Sequence, residues 1–554
     1  MKTVRIDFNK MNPLVDGFVV GRIGEHNATK LLITPPTEMQ SNGDISFYYV
    51  AFETGGKVYH SDRIEKAEII EISLWKQLTE NKTLSIQIEG CNKDESLLEK
   101  SVLLTGLCFL PSVCGEESSI NCEGTRAITK GIEVVETEYG YASEIIIYGL
   151  LPSNLIEANY YFKKITLINV TSLPFRAFDN LTGLEEVVGM ENVVYMDTGT
   201  FGGCSLLKNV CLNPDLTEIK PQTFYNCKAL ETVDVPVGIT RIGDKAFEEC
   251  RSLISVNLEN CEYIGERSFY GCSLLSNVAL SENLKSIGEY AFYNCPVLDI
   301  EKVSATTRIS KYAFCQDRGI KKLTLFSPYV DTYAFGYCTN LKTLKIKSGT
   351  LLGSNCFYNC TALETCEFED GISAIPISCF AQCSKLDIPY IKVELSINSS
   401  GFANTGLTEI TVDCPVIGTN AFERCAKLKS VMLLNTTTIN NYAFYNCPLL
   451  ETVIFPENSA VTIGLSAFYS DSNLTAINIP KLKSIGSSAF GSCTRLKDVV
   501  LGSKGNPVTS IHANSFNFCS SEDMKISIYV EDPSVPLANQ PWGALNATIE
   551  YLKA

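Results

Sequence analysis

The sequence predicts a mainly β chain in which an N-terminal β-sandwich is followed by a solenoid of about 16 repeats. One side of each coil carries parallel strands and the other, convex side is irregular or short helical. Three observations carry this expectation. An aromatic residue recurs at a nearly fixed spacing from about residue 144 to residue 528, and apolar residues stand at fixed offsets from it. The first 112 residues lack that pattern and show short alternating segments instead. A chain of 554 residues exceeds what one compact core can hold, so it is either several domains or an array of units touching only their neighbours.

Within residues 1–112 the alternating segments run from Val4 to Phe8, Phe18 to Ile23, Lys30 to Thr34, Ile45 to Phe52, Ala67 to Leu74, Thr83 to Glu89 and Ser101 to Leu110. Seven short strands with polar breaks are the pattern of an all-β sandwich. The run from Val19 through Gly21, Arg22, Gly24, Glu25 and His26 to Thr29, with the later Phe47-Tyr48-Tyr49 and Leu84 to Ile88, resembles the N-terminal domain of baseplate upper proteins. These are tail proteins of phages and prophages of Gram-positive bacteria. The resemblance implies attachment to other tail or baseplate proteins through residues 1–112. Residues 113–140, with Gly115, Ser118, Ser119 and Gly124, read as a linker.

Residues 141–528 carry the repeat. Its anchor is a Phe preceded by a small residue, at Phe178, Phe201, Phe224, Phe247, Phe269, Phe292, Phe314, Phe335, Phe357, Phe380, Phe402, Phe422, Phe444, Phe468, Phe490 and Phe516. An apolar residue stands five positions earlier in all sixteen, from Leu173 to Ile511, and Leu or Ile six positions later in fourteen. The copies at Phe402 and Phe516 depart. Around Phe247 the whole unit reads Ile242, Gly243, Ala246, Phe247, Cys250, Leu253, Val256, Leu258; its end alternates as a strand does. One unit buries too little to offset its ordering entropy, so stability must come from stacking. At about 4.8 Å per strand, sixteen repeats predict a strand face roughly 75 Å long. Residues 144–171 read as a degenerate first coil, Ile526 to Val530 as a last strand, and 529–554, beginning around Gln540 to Ala544, as a C-terminal cap over the open edge.

The pattern Ile-Gly-x-x-Ala-Phe-x-x-Cys-x-x-Leu-x-x-Val-x-Leu resembles the BspA-like leucine-rich repeat. That family is rich in bacterial and protist surface proteins that bind other proteins. The resemblance implies the fold; for function it implies only binding, because every matching position is a core position.

Twelve cysteines sit three residues after the anchor Phe, among them Cys204, Cys250, Cys338 and Cys493. Such a ladder suggests disulfides or metal, but Cys also serves as a small apolar filler at a crowded turn, and that is the reading adopted. With His26, His60 and His512 as the only histidines and no Cys-x-x-Cys pair, neither a metal nor a cofactor is expected. Phosphate-binding glycine loops, nucleophile elbows, zinc-protease motifs and calcium loops are absent from the sequence, so no enzymatic activity is expected.

Candidate binding residues alternate with the core on the strands: Thr232, Asp234, Ser255, Asn257, Asn277, Lys322, Thr324, Thr343, Lys345, Thr365, Glu367, Glu409, Thr411, Ser430 and Asn478. Small polar groups of this kind hydrogen-bond a protein loop or a sugar, although Thr also simply favours strands. On this reading, charge reversal of Lys345 with alanine at Thr343 and Thr365 weakens attachment without altering the melting temperature. A row of Tyr one after the Phe (Tyr225, Tyr270, Tyr293, Tyr358, Tyr445, Tyr469) offers a second, aromatic edge.

The formal charge of −16, from 62 acidic and 46 basic residues without a basic cluster, disfavours nucleic acid. No apolar stretch is long enough to span a bilayer, so no membrane insertion is expected. The first twelve residues carry no secretory-signal pattern, which makes Asn-x-Ser/Thr sequons such as Asn27, Asn169, Asn435 and Asn546 compositional. The expected function is that of a phage or prophage tail protein, located in the virion tail, whose repeats recognise a host-surface protein or glycan. The alternative is a surface adhesin displayed on the bacterial cell, and self-association is compatible with either.

Overall fold

The computed structural model describes residues 144–147, 149, 162–369 and 372–554 with their side chains and, towards the N-terminus, the backbone of the strands alone. Two units are distinguished, Met1–Pro236 and Val237–Ala554. In the first, Lys2–Asp7, Thr29–Thr34 and Ile70–Ser73 form a three-stranded sheet. A second sheet runs in the order Val19–Arg22, Leu104–Leu110, Thr83–Cys91, Phe47–Thr54, Lys57–His60. Seven of these strands overlap the seven alternating segments and Lys57–His60 lies between two of them, while the faces of the expected sandwich lie outside the described residues. So do residues 113–131 of the expected linker; Ile132–Glu136 is a strand, antiparallel to Ala142–Tyr148.

From residue 144 on, the chain is a parallel-strand β-solenoid of about 18 turns. Each coil adds one strand to each of two ladders. The longer strand comes from the alternating end of the repeat, as where Ser255–Leu258 pairs in parallel with Asn277–Leu280. Its inward residues, such as Val256 and Leu258, are buried while Asn257 faces out. The shorter strand, of two residues in most coils, ends on the apolar residue five before the Phe, as in Arg241–Ile242 paired with Tyr263–Ile264.

Between the two strands the chain turns around the anchor Phe, and here the expectation of short helix is corrected. Among the described residues the one helical element is a 3-10 turn at Met190–Asn192. The reason is a backbone rule that no apolar pattern reveals. In fifteen of the sixteen coils the residues two before and two after the Phe both have positive φ, for example Lys245 (59°) and Glu249 (63°) around Phe247. Each turn is thus bracketed by two left-handed residues with three residues of ordinary φ between them, which interrupts a helix, and every second N–H of the turn points along the stack. Lys245, Phe247 and Glu249 donate to the carbonyls of Glu266, Ser268 and Tyr270 at 2.8, 2.7 and 2.8 Å. The amides between them, on Ala246, Glu248 and Cys250, bond within their own turn. The Gly four before the Phe reflects close stacking: a Cβ on Gly265 would lie 2.7 Å from the carbonyl carbon of Gly243.

Within each unit the anchor rings stack into a spine. In the second unit, Phe247 to Phe516 stack with centroids 5.0–5.7 Å apart and planes within 12° of parallel. Each such contact adds about 0.5–1.5 kcal/mol to what burial supplies. Behind the spine runs the cysteine ladder, and these side chains do more than fill space. The thiol of Cys272 donates to the carbonyl of Phe247 at 3.1 Å, and Cys338, Cys425 and Cys493 repeat this contact on Phe314, Phe402 and Phe468. At the far end, Trp542 is fully buried and its carbonyl accepts the amide of Phe516 at 2.9 Å. The strand Thr548–Lys553 then pairs along its whole length with Lys525–Val530, so the tail supplies a further coil.

Two coils place Asp in the cysteine position. Asp317 and Asp471 are fully buried; one oxygen of each accepts the amide of Cys295 (2.7 Å) or Cys447 (2.8 Å), and the other has no partner. Burial holds both carboxyls well above their ordinary pKa, so they stay neutral. Above the unfolded carboxyl pKa of about 3.9 the unfolded chain releases protons that the folded chain retains, and stability falls as pH rises toward the folded value. Replacing both by Cys is therefore expected to raise the melting temperature at pH 7–8 and to flatten its decline between pH 4 and pH 8. Calorimetric melts across that range check this.

Candidate functional site

Strand alternation delivers the predicted site residues to the outward side of the longer strands. In the first unit, Thr232 and Asp234 flank the buried Val233, and the Thr232 hydroxyl donates to Asn209 Oδ1 at 2.8 Å. Beside them Val188 is exposed, and so is Cys211.

In the second unit, Ser255 lies beside Asn277 and Thr343 beside Thr365 in strand register. Asn257 accepts the amide of Glu259 at 3.0 Å, which commits its side-chain carbonyl to a local turn. Lys345 is not a free cation: its ammonium lies 3.0 Å from Glu367 and 3.1 Å from Glu369. The hydrogen bond that Lys345 donates to Glu367 raises the lysine's pKa, while the one Lys347 donates lowers that of Glu369. Lys302 and Lys347 approach the Phe326 ring to 5.3 and 5.0 Å. This stretch is a network of charges already satisfied by one another.

Farther along, the face changes character. Glu409 is in register with Ser430, and Thr411 lies between Tyr390 and Met432, which is followed by Ile454 and Asn478. Tyr390, Met432, Leu434 and Ile454 are 49, 39, 41 and 46% exposed, so large apolar groups point into water where alternation calls for polar ones. The polar lining expected from sequence thus misses four residues. The signal was present in Val431-Met432-Leu433-Leu434, four apolar residues running through positions that alternate inward and outward.

The tyrosines on the turn side are largely occupied by one another. Tyr270 stacks on Tyr293 at 5.1 Å and Tyr445 on Tyr469 at 5.7 Å. A second column, absent from the sequence reading, stands two before the Phe: Tyr290, Tyr312 and Tyr333 stack at 4.8 and 5.1 Å. These three occupy left-handed positions, where an L side chain costs roughly 1–2 kcal/mol. Stacking offsets part of that cost and leaves ring edges, not faces, toward solvent. The ladder thiols are equally withdrawn: burial pushes Cys425 up to about 11 and Cys519 up to about 12, far from the thiolate that nucleophilic or metal chemistry requires.

The BspA-type leucine-rich repeat region, as a family model, matches residues 153–260, 240–328, 307–429 and 415–532. Among solved structures, the chain is similar to a leucine-rich repeat protein from Bacteroides ovatus at 20% identity, covering 76% of this chain and 98% of that one, with a TM-score of 0.45. A leucine-rich cell surface protein from Faecalibacterium prausnitzii is 21% identical over 57% of this chain and 80% of its own, with a TM-score of 0.31. The pneumococcal vaccine antigen PcpA is 17% identical over 74 and 85%, at 0.24. No curated protein matches the chain significantly.

The pairing of Lys345 alters one expectation. Lys345→Glu brings three carboxylates together, so it is expected to lower the melting temperature by a few degrees at low salt and by less at about 0.5 M salt, where charges are screened. Thr343→Ala with Thr365→Ala should leave it within a degree or so. Melts at the two ionic strengths distinguish these effects from a change in binding.

Proposed function

The chain belongs to the BspA-type leucine-rich repeat family, and on that premise we propose that it is a non-enzymatic recognition protein whose longer-strand face binds a macromolecule displayed on a cell surface. One observation carries this reading: the turn side spends its amides and rings on neighbouring coils, whereas the strand side presents outward side chains, four of them large and apolar. A protein that only needed to stack would gain nothing from exposing Met432 and Ile454. Extended faces of stacked repeats suit protein or glycan ligands and not small substrates.

The attachment of this face to its carrier is assigned to residues 1–112. Their resemblance to baseplate upper proteins supports a phage or prophage tail, with the repeats reaching toward the host. The family's abundance in bacterial surface proteins supports the second reading, display on the producing cell as an adhesin. Genes on either side decide between them: tape-measure, baseplate and lysis genes favour the tail, sortase and wall-anchored proteins the adhesin.

The face itself is tested with the full chain, labelled and incubated with candidate host cells. Thr343→Arg with Thr411→Arg is expected to cut cell binding about tenfold or more at unchanged melting temperature. Lys311→Gln on the turn side should have no effect. Loss with the turn-side variant alone would place recognition on the other side of the coil.

A further inference from the structure

Resting on that reading of the face, we propose that the stretch around Met432 and Ile454 is a docking site for an extended, basic polypeptide segment carrying apolar side chains at every second residue. Three observations converge there. Tyr390, Met432 and Ile454 belong to one outward column, with Thr411 between the first two, and Leu434 follows on the Met432 strand side. The column begins at a place where the repeat is irregular. Tyr390–Ile397 is a single eight-residue strand whose two ends pair in the two different ladders, and the following coil replaces the ladder Cys with Thr405. Sequence regularity is thus given up at the place where outward residues turn apolar.

The third observation is charge. Glu409 and Asp413 flank Thr411 on its own strand, and Asp498 lies two strands beyond the Ile454 strand, in the row of Glu409. Neither Glu409 nor Asp498 has an ion-pair partner among the described residues, and Asp413 accepts only neutral donors, Asn435 at 2.7 Å and the Tyr390 hydroxyl at 3.4 Å. Of the amines in register with these acids, Lys525 beside Asp498 is held by Glu550 at 2.7 Å, and Lys392 lies beside Asp413. An acidic rim around an apolar column, on a chain of net charge −16, selects a partner of opposite sign.

Geometry selects an extended one. From the Tyr390 strand to the Ile454 strand is three strand spacings, roughly 14 Å. An extended peptide rises about 3.3 Å per residue, so side chains at i, i+2 and i+4 span about 13 Å and meet the column when the peptide crosses the strands. Apolar contacts supply the affinity; flanking Lys or Arg set register and association rate.

The test pans a random dodecapeptide library on beads against the full chain, with a glycan array probed in parallel. The expected result is enrichment of peptides with alternating apolar residues and an excess of Lys and Arg. Affinity for the consensus peptide should fall about tenfold or more in Met432→Ser with Ile454→Ser. In Glu409→Lys with Asp498→Lys it should fall several-fold and lose its salt dependence, and both variants should keep the parental melting temperature. Enrichment of acidic peptides, or of none, overturns the proposal, as does binding that ignores both variants. Glycan ligands lost in Met432→Ser with Ile454→Ser would refute the peptide class while leaving recognition by this face intact. Ligands of any class indifferent to every face variant would refute both.

Discussion

The solenoid depends on the pair of left-handed residues that brackets each anchor Phe. Because φ is positive two residues before and two after it, the three amides at those positions and at the Phe itself point at the next coil, and the carbonyls between them receive the previous coil's amides. A helix in the same place would satisfy its own backbone and leave adjacent coils joined by side chains alone. The alternating turn makes the backbone itself the joint, which draws the Phe rings to 5.0 Å in the regular coils and brings the thiols within reach of the Phe carbonyls. Thirty left-handed positions result, and none holds Val, Ile or Thr, the residues for which that conformation is most costly.

Much of this was legible in sequence. The Phe column, the apolar residue five before it and the Leu six after it mark the core because burial imposes a constant offset, and in the coils that follow the rule these residues are buried, as Ile242, Phe247 and Leu253 are, with the half-buried Leu352 as the exception. The turn was not legible, since its determinant is conformational: Asn, Ser, Gly, Gln and Tyr share no hydrophobic period, only a tolerance of positive φ or, for Tyr290 and Tyr312, a stacking partner that offsets it. Candidate residues were legible as positions and less so as chemistry. Alternation places Thr343 and Lys345 on the outer side of their strand, but that Lys345 is neutralised by Glu367 and Glu369 depends on the register of the next strand and on a residue beyond its end. The Met432 column was obscured by a rule of thumb, that outward strand positions are polar, which is least safe where a face has a partner.

The two sides of the coil divide the work. Stacking amides, tyrosine columns and buried thiols make the turn side a structural seam, and even its charged intruders, Asp317 and Asp471, are held neutral by burial. The strand side has hydrogen bonds only in the plane of its ladder, so its outward side chains vary without cost to the stack. Variation there runs from a self-satisfied charge network around Lys345 to an unsatisfied apolar column with an acidic rim around Met432. The proposed site rests on that gradient more than on the repeat itself.

Thermal melts of paired substitutions in one coil test the turn most directly. Asn355 and Asn359 bracket Phe357 with φ of 57° and 58°, and their amides donate to Ile377 and Ala381 at 2.9 Å each. Replacing both by Gly, which adopts that conformation freely, should leave the melting temperature within a degree or two, while replacing both by Val should lower it by several degrees, about 1–2 kcal/mol per site. Equal effects of the two pairs would contradict the account, because the left-handed residues that bracket the Phe would then not be what joins the coils.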